Sequence, residues 1–246
     1  SVRLNEKTFE IPSGLTLTTA ASLNQTKRPI MADFDDQGRL FVAESSGSNA
    51  PVEEQVQERP HRILCLEDRD QDGFFETSHV YADNLMLPEG ILCHQGYVYC
   101  GAPPEIWRFR DSNGDGQADE RVVWHNGKTL TGCANDIHGP YLGPEGFIYW
   151  CKGAFAQQNY TGYNGWAVND RAAHIFVQTI DGDSFDSIAS GGMDNPVEIA
   201  FTPEGEPIFS TTFYSHPTQG RRDALVHAIY GAVFPKQHDV VDDLGR

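Results

Sequence analysis

Short apolar runs, several of them alternating with polar residues, recur along the chain between turns rich in Asp, Gly, Pro and Asn. Period-two alternation with β-branched and aromatic residues predicts strands, and the intervening punctuation predicts tight turns. One phrase returns four times: an apolar strand, a polar turn closing on glycine, then an apolar or aromatic strand. It spans residues 30–43, 89–101, 138–151 and 197–210, with the turn glycines at Gly38, Gly96, Gly146 and Gly205. These glycines stand roughly 50 to 60 residues apart, and between them lies room for a second hairpin, giving about four strands per repeat. That predicts an all-β chain built as a β-propeller of six-bladed type, with about four blades present across residues 1–246. Long helical periodicity is absent; only 224–229 looks briefly helical, and it reads equally well as a strand.

Two stretches break the repeat in informative ways. Residues 155–171 form a long insertion rich in Tyr, Trp, Asn and Gly, which reads either as a packed Ω-loop or as a binding lid. The chain stops at Arg246 without a terminal signal, so it is expected to be the N-terminal part of a larger propeller.

The second interruption is acidic. Asp68, Asp70, Asp72 and Glu76 occupy positions 1, 3, 5 and 9 of one loop, and Asp111, Asn113, Asp115 and Asp119 those of another. Glycine stands at position 6 in both, as Gly73 and Gly116. Alternate oxygen side chains converge on a centre, the glycine permits the turn, and the carbonyls of Phe74 and Gln117 at position 7 add a ligand. This spacing points to two calcium sites. The flanks, 61–66 with 77–81 and 106–110 with 121–124, read as strands, so each loop is expected at a hairpin tip. Position 12, which carries a bidentate Glu in helix-loop-helix sites, holds His79 and Val122. A polar turn that binds nothing is the competing reading.

Charge and cysteine content narrow the setting. Asp and Glu outnumber Lys and Arg by 35 to 18, a formal charge of −17, which repels a phosphate backbone and argues against nucleic acid. No apolar run approaches the roughly 20 residues of a membrane span. The five cysteines contain no C-x-x-C, so zinc, redox and covalent-haem motifs are missing from this stretch. Cys93 with Cys100 and Cys133 with Cys151 could lie near each other as disulfides, or stand as buried thiols. Calcium loops of this kind suit a millimolar-calcium compartment, so a periplasmic or extracellular protein is expected.

Candidate chemistry gathers just ahead of the recurring phrases, where loops enter the innermost strands. The groups are Asn135-Asp136-Ile137-His138, Asp194-Asn195-Pro196 with Glu198 following, Pro88-Glu89-Gly90, and residues 211–216. His138 could serve as a general base, ligate a metal or haem, or tie blades together structurally. Asp136 or Asp194 could orient it as the carboxylate of a base relay.

The stretches 135–140 running on to 149–155, then 191–196 and 225–236, together with the acidic loops, resemble the N-terminal propeller of the large exported membrane-bound dehydrogenase-type proteins of planctomycetes and their relatives. These are also called PVC-type haem-binding proteins. The resemblance implies a propeller like that of soluble quinoprotein sugar dehydrogenases, which use pyrroloquinoline quinone (PQQ) and calcium. It also implies helical repeats and a cytochrome c domain downstream, with any haem on that absent domain. Carried over, it makes His138, Asp136 and Asp194 the catalytic set, Asn135 and Asn195 the cofactor contacts, and a sugar or alcohol the substrate. Two positions depart from the quinoprotein pattern: Asn135 stands where that pattern has its catalytic His, and Asp194 where it has an Arg. The other reading is a non-catalytic propeller that binds a glycan or protein, with 160–166 as the platform.

Overall fold

The computed structural model describes residues 1–133, 136–162, 165–212, 223–234 and 239–244. A small hairpin of β1 (Val2–Leu4) and β2 (Lys7–Phe9) leads in. Blade one is β3 (Pro29–Phe34), β4 (Leu40–Glu44), β5 (His61–Glu67) and β6 (Thr77–Leu85), with a short helix α1 (Val52–Glu58) between β4 and β5. Blade two is β7 (Gly90–His94), β8 (Tyr97–Ala102), β9 (Glu105–Arg110) and β10 (Glu120–Asn126). Blade three is β11 (Ile137–Leu142), β12 (Ile148–Lys152), β15 (Ala173–Gln178) and β16 (Phe185–Gly191), interrupted by a separate hairpin, β13 (Gln158–Thr161) with β14 (Ala167–Asp170). Blade four is β17 (Glu198–Phe201), β18 (Pro207–Thr212) and β19 (Asp223–His227). The chain then returns to blade three, where β20 (Ala232–Phe234) adds in parallel to β16.

The four blades are arranged as a β-propeller, and each recurring phrase is the inner hairpin of one blade. The turn glycines all adopt positive φ, from +76° at Gly96 to +90° at Gly205, a conformation that costs a side-chain-bearing residue energy. Second strands are the most buried: every residue of β12 is buried, and β8 is buried from Val98 to Ala102. Apolar faces of successive blades meet in separate clusters. Phe41, Ile63 and Cys65 join Ile91 and Cys100 between blades one and two. Ile106 joins Ile137, Trp150 and Phe176 between blades two and three. Tyr149, Cys151 and Ile175 join Ile199 and Phe209 between blades three and four.

Two open readings resolve, at 224–229 and at the cysteines, and one, at 155–171, changes. The stretch at 224–229 lies mostly in strand β19, and the helix instead spans Val52–Glu58, where Val52 and Val56, four residues apart, pack on the core of blade one and Gln55 is buried. The insertion at 155–171 is neither an Ω-loop nor an open lid. It folds back as the β13–β14 hairpin, whose Tyr160 and Val168 are buried among Trp150 and Phe176. All five cysteines are free thiols. Cys93 lies opposite Val98 and Cys100 opposite Ile91, so the hairpin register separates the two.

His125 sits within the aromatic cluster, its ring centroid 4.4 Å from Trp150 and 5.6 Å from Phe185. Its Nε2 is buried without a hydrogen bond. Burial pushes its pKa down from 6.5 to about 4. The unfolded chain therefore takes up this proton before the folded one does, so stability falls as pH drops from about 6.5 towards 4 and levels off below. The loss is up to about 3 kcal/mol. Denaturant titrations at pH 7 and pH 4.5 should show a smaller acid loss in His125→Phe than in wild type; equal losses would remove His125 from the account.

Candidate functional site

The two acidic loops are the tips of the β5–β6 and β9–β10 hairpins, on the outer strands of blades one and two. Their internal hydrogen bonds correspond position by position. The position-1 carboxylate accepts from the glycine N–H at position 6, Gly73 to Asp68 and Gly116 to Asp111, both at 2.9 Å. Position 5 accepts from position 7, Phe74 to Asp72 at 2.7 Å and Gln117 to Asp115 at 2.9 Å. Position 9 reaches back to the N–H of position 2, Arg69 to Glu76 at 3.0 Å and Ser112 to Asp119 at 2.9 Å. Position 4 is left-handed in both, at Gln71 (φ +62°) and Gly114 (φ +79°).

One ligand oxygen from each of Asp68, Asp70, Asp72 and Glu76 falls within 4.8 Å of the others. The Asp70 carboxyl is held up from its ordinary value, first by its contact with Glu76, as expected where carboxylates converge. A cluster of hard oxygen donors this tight fits calcium. The second loop also joins the blades: Gly116 O contacts the His79 imidazole of β6 at 2.9 Å, and Ala118 N–H donates to Tyr81 O at 2.8 Å.

A separate set of polar groups lies where blades two, three and four begin their innermost strands. Glu89 immediately precedes β7, His138 is the second residue of β11, and Asn195 precedes β17. His138 Nε2 is 3.0 Å from Asn195 Oδ1 and 3.6 Å from Glu89 Oε2. The imidazole also meets the Glu89 main-chain carbonyl. Burial lowers the His138 pKa, only partly opposed by the Asn195 contact, so the ring is neutral at pH 7. A neutral imidazole has a single N–H and cannot donate to two acceptors. If that N–H serves the Glu89 carbonyl, the Asn195 amide turns its NH₂ to Nε2, leaving Nε2 as the basic atom.

Asp136 is buried and faces away from the imidazole's hydrogen bonds. Its carboxylate accepts from Thr131 N–H and Oγ1 at 2.8 and 2.9 Å and lies 3.4 Å from Lys152 Nζ. Lys152 is wholly inaccessible and also donates to Thr129 O at 3.0 Å. Asp194 accepts through its main-chain oxygen from Ala154 N–H at 3.1 Å. The structure thus brings His138 together with Asn195 and Glu89, and ties Asp136 to Lys152; Asn135 lies outside the described residues, as does most of 211–216. Glu89 stood among the candidate groups of the sequence, beside the entry glycine of a repeat, but without an assigned role, and Lys152 was passed over. Lys152 had the signal of a lone charge ending an otherwise apolar strand, which requires a buried partner.

Bare glycine backbone makes this meeting possible. A Cβ on Gly90 would stand 2.0 Å from Gly139 O, and one on Gly101 2.4 Å from the same atom. Gly139 itself has φ +103°, and its N–H reaches Glu89 O at 3.5 Å. Gly90→Ala should therefore push blades two and three apart, costing about 2 kcal/mol or more by overpacking, measurable by urea denaturation. An unaltered midpoint would show that the approach is not tight.

A cavity of about 300 Å³ lies elsewhere, against β14 and the outer strands of blade three, lined by Trp166, Asn169, Asp170, His174, Ser187 and Ser190 among others. There His174 bridges Ser187 Oγ at 2.8 Å and Asp170 Oδ1 at 3.0 Å. Arg171 beside it clamps Asp243 with bonds of 2.7 and 2.9 Å.

Comparison with known proteins agrees with this fold. Residues 1–218 match the family described as Domain of unknown function (DUF7133), and the chain belongs to that family. No curated protein matches the chain. Among solved structures, it is similar to a Thermus thermophilus protein described as a "putative oxidoreductase (glucose dehydrogenase)", with TM-score 0.57 and 17% identity, over 85% of this chain and 63% of that one. It is also similar to the calcium structure of a Trichoderma reesei carbohydrate-active enzyme of family AA12, with TM-score 0.54 and 14% identity, over 83% of this chain and 53% of that one. The iodide structure of the same family matches with TM-score 0.53. The chain thus spans between about half and two thirds of the length of these relatives. At such identities the likeness shows the β-propeller fold.

Proposed function

We propose that this DUF7133 propeller is the sugar- or alcohol-oxidising part of a larger exported protein of the planctomycete dehydrogenase type, with a downstream cytochrome c domain taking the electrons. The observation that carries the reading is His138: a buried, neutral imidazole, held by Asn195 at the entry of an innermost strand, in a propeller of glucose-dehydrogenase type. Such a group would accept the hydroxyl proton of an alcohol while a two-electron hydride acceptor, an organic redox cofactor of the whole protein or the dye of an assay, takes the hydride. Asp136 with Lys152 would hold the loop before β11, and Asp194 the wall beside Asn195.

The described residues around His138 do not fit PQQ well. That quinone is a polyanion, whereas the acidic groups near the imidazole are Glu89 and Asp136, and Lys152 is already paired with Asp136. An unpaired carboxyl next to an anionic ligand is unfavourable, so no step is assigned to the quinone here. Dye reduction across a panel of sugars and alcohols, with and without added PQQ and calcium, should give turnover in at least one condition that His138→Ala lowers by about a hundredfold or more. Absence of turnover with any substrate would reject the enzymatic reading. One observation favours glycan binding as the alternative: the polar cavity beside Trp166 has room for a monosaccharide. Saturable sugar binding without turnover, lost in Trp166→Ala, would support it.

The acidic loops are proposed as two calcium clamps on the outer hairpins, remote in the fold from His138. Calorimetry should register calcium binding that disappears in the Asp70→Ala, Asp115→Ala double variant, with chelator lowering the melting temperature of the wild type alone. A melting temperature indifferent to chelator would refute the clamp.

A further inference from the structure

Glu89 Oε2 is buried and makes no hydrogen bond, yet it points to within 3.6 Å of His138 Nε2. We propose that Glu89 and His138 act as one proton-holding pair, in which Glu89 carries the proton while the imidazole is neutral and releases it when the imidazole becomes charged. The inference rests on His138 being the base of the axial site.

The surroundings supply the reason. The groups facing Glu89 are His138 and Asp136 from blade three, Lys152 from β12, and the Tyr141 phenol. Asp136 and Lys152 neutralise each other at 3.4 Å. An ionised Glu89 would be a charge out of water, repelled by Asp136 and only partly relieved by Lys152, which is costly. Burial and that repulsion hold the carboxyl well above its ordinary range. An imidazolium 3.6 Å away reverses the balance, because a positive charge at that range favours the carboxylate. A proton passing from a substrate hydroxyl to Nε2 is therefore matched by one leaving the Glu89 carboxyl for solvent. The net charge of the site stays constant, and the two groups titrate as a unit. The base then works in a buried site without building up charge, and the preferred ligand is a neutral hydroxyl compound, since an anion would meet Asp136 and Glu89.

The test needs no turnover. Infrared difference spectroscopy at pH 7 should show a carboxylic-acid C=O band that shifts in D₂O and is missing from Glu89→Gln. NMR titration downwards from pH 7 should leave the His138 midpoint essentially unmoved in Glu89→Gln, since the amide mimics the protonated carboxyl, whereas an ionised Glu89 would hold the wild-type midpoint about one pH unit or more above that of the variant. The melting temperature of this variant should match the wild type, because the amide closely replaces a neutral acid. Lack of a Glu89-dependent acid band, a His138 midpoint that falls by about a unit or more in Glu89→Gln, or a Glu89→Gln protein that fails to fold would each overturn the proposal. A dehydrogenase assay that fails while the band and midpoint behave as expected would reject the proposed reaction and leave the proton pair standing.

Discussion

Blade two touches blade three backbone to backbone. Gly90 and Gly101 face Gly139 O so closely that neither position has room for a Cβ. The rest of the axial site follows from that approach. It carries Glu89, one residue before β7, up to His138, one residue before Gly139. It also packs Ile106 of blade two onto Ile137 and Trp150 of blade three. A propeller needs its blades close at the axis, and here the glycine contact lies beside the buried Glu89 and His138.

The chain handles its acidity in two different ways. On the outer hairpins, carboxylates gather in the open and accept from loop N–H donors, and those of the first loop converge within 4.8 Å of one another. At the axis, carboxylates are out of water and must be paired or protonated. Asp136 is paired with Lys152, while Glu89 has the imidazole nearby. The outer arrangement joins blades one and two through His79 and Gly116. The inner one is suited to moving a proton.

Much of the architecture was legible from the repeated phrase, because an inner hairpin must alternate and its turn needs a residue tolerant of positive φ; Gly38, Gly96, Gly146 and Gly205 met both demands. The hairpin context of the acidic loops was legible for the same reason. Other features depend on tertiary packing that local pattern does not encode. Helix α1 has only Val52 and Val56 to announce it. The β13–β14 hairpin buries Tyr160 in a cluster drawn from distant strands. At the site, His138 and Asn195 stood out by position, but their hydrogen bond spans 57 residues. Glu89 becomes part of the site only through the glycine contact between blades. The preference of Asp136 for Lys152 over His138 could not be read from adjacency in the chain.

The most direct measurement of the central claim is a crystal structure of the chain soaked with a sugar substrate candidate such as glucose. The account expects a sugar hydroxyl within hydrogen-bond reach of His138 Nε2, with Glu89 and Asn195 on either side. A sugar bound only beside Trp166, or an axial site whose imidazole stays sealed by Asn195 at saturating sugar, would contradict it.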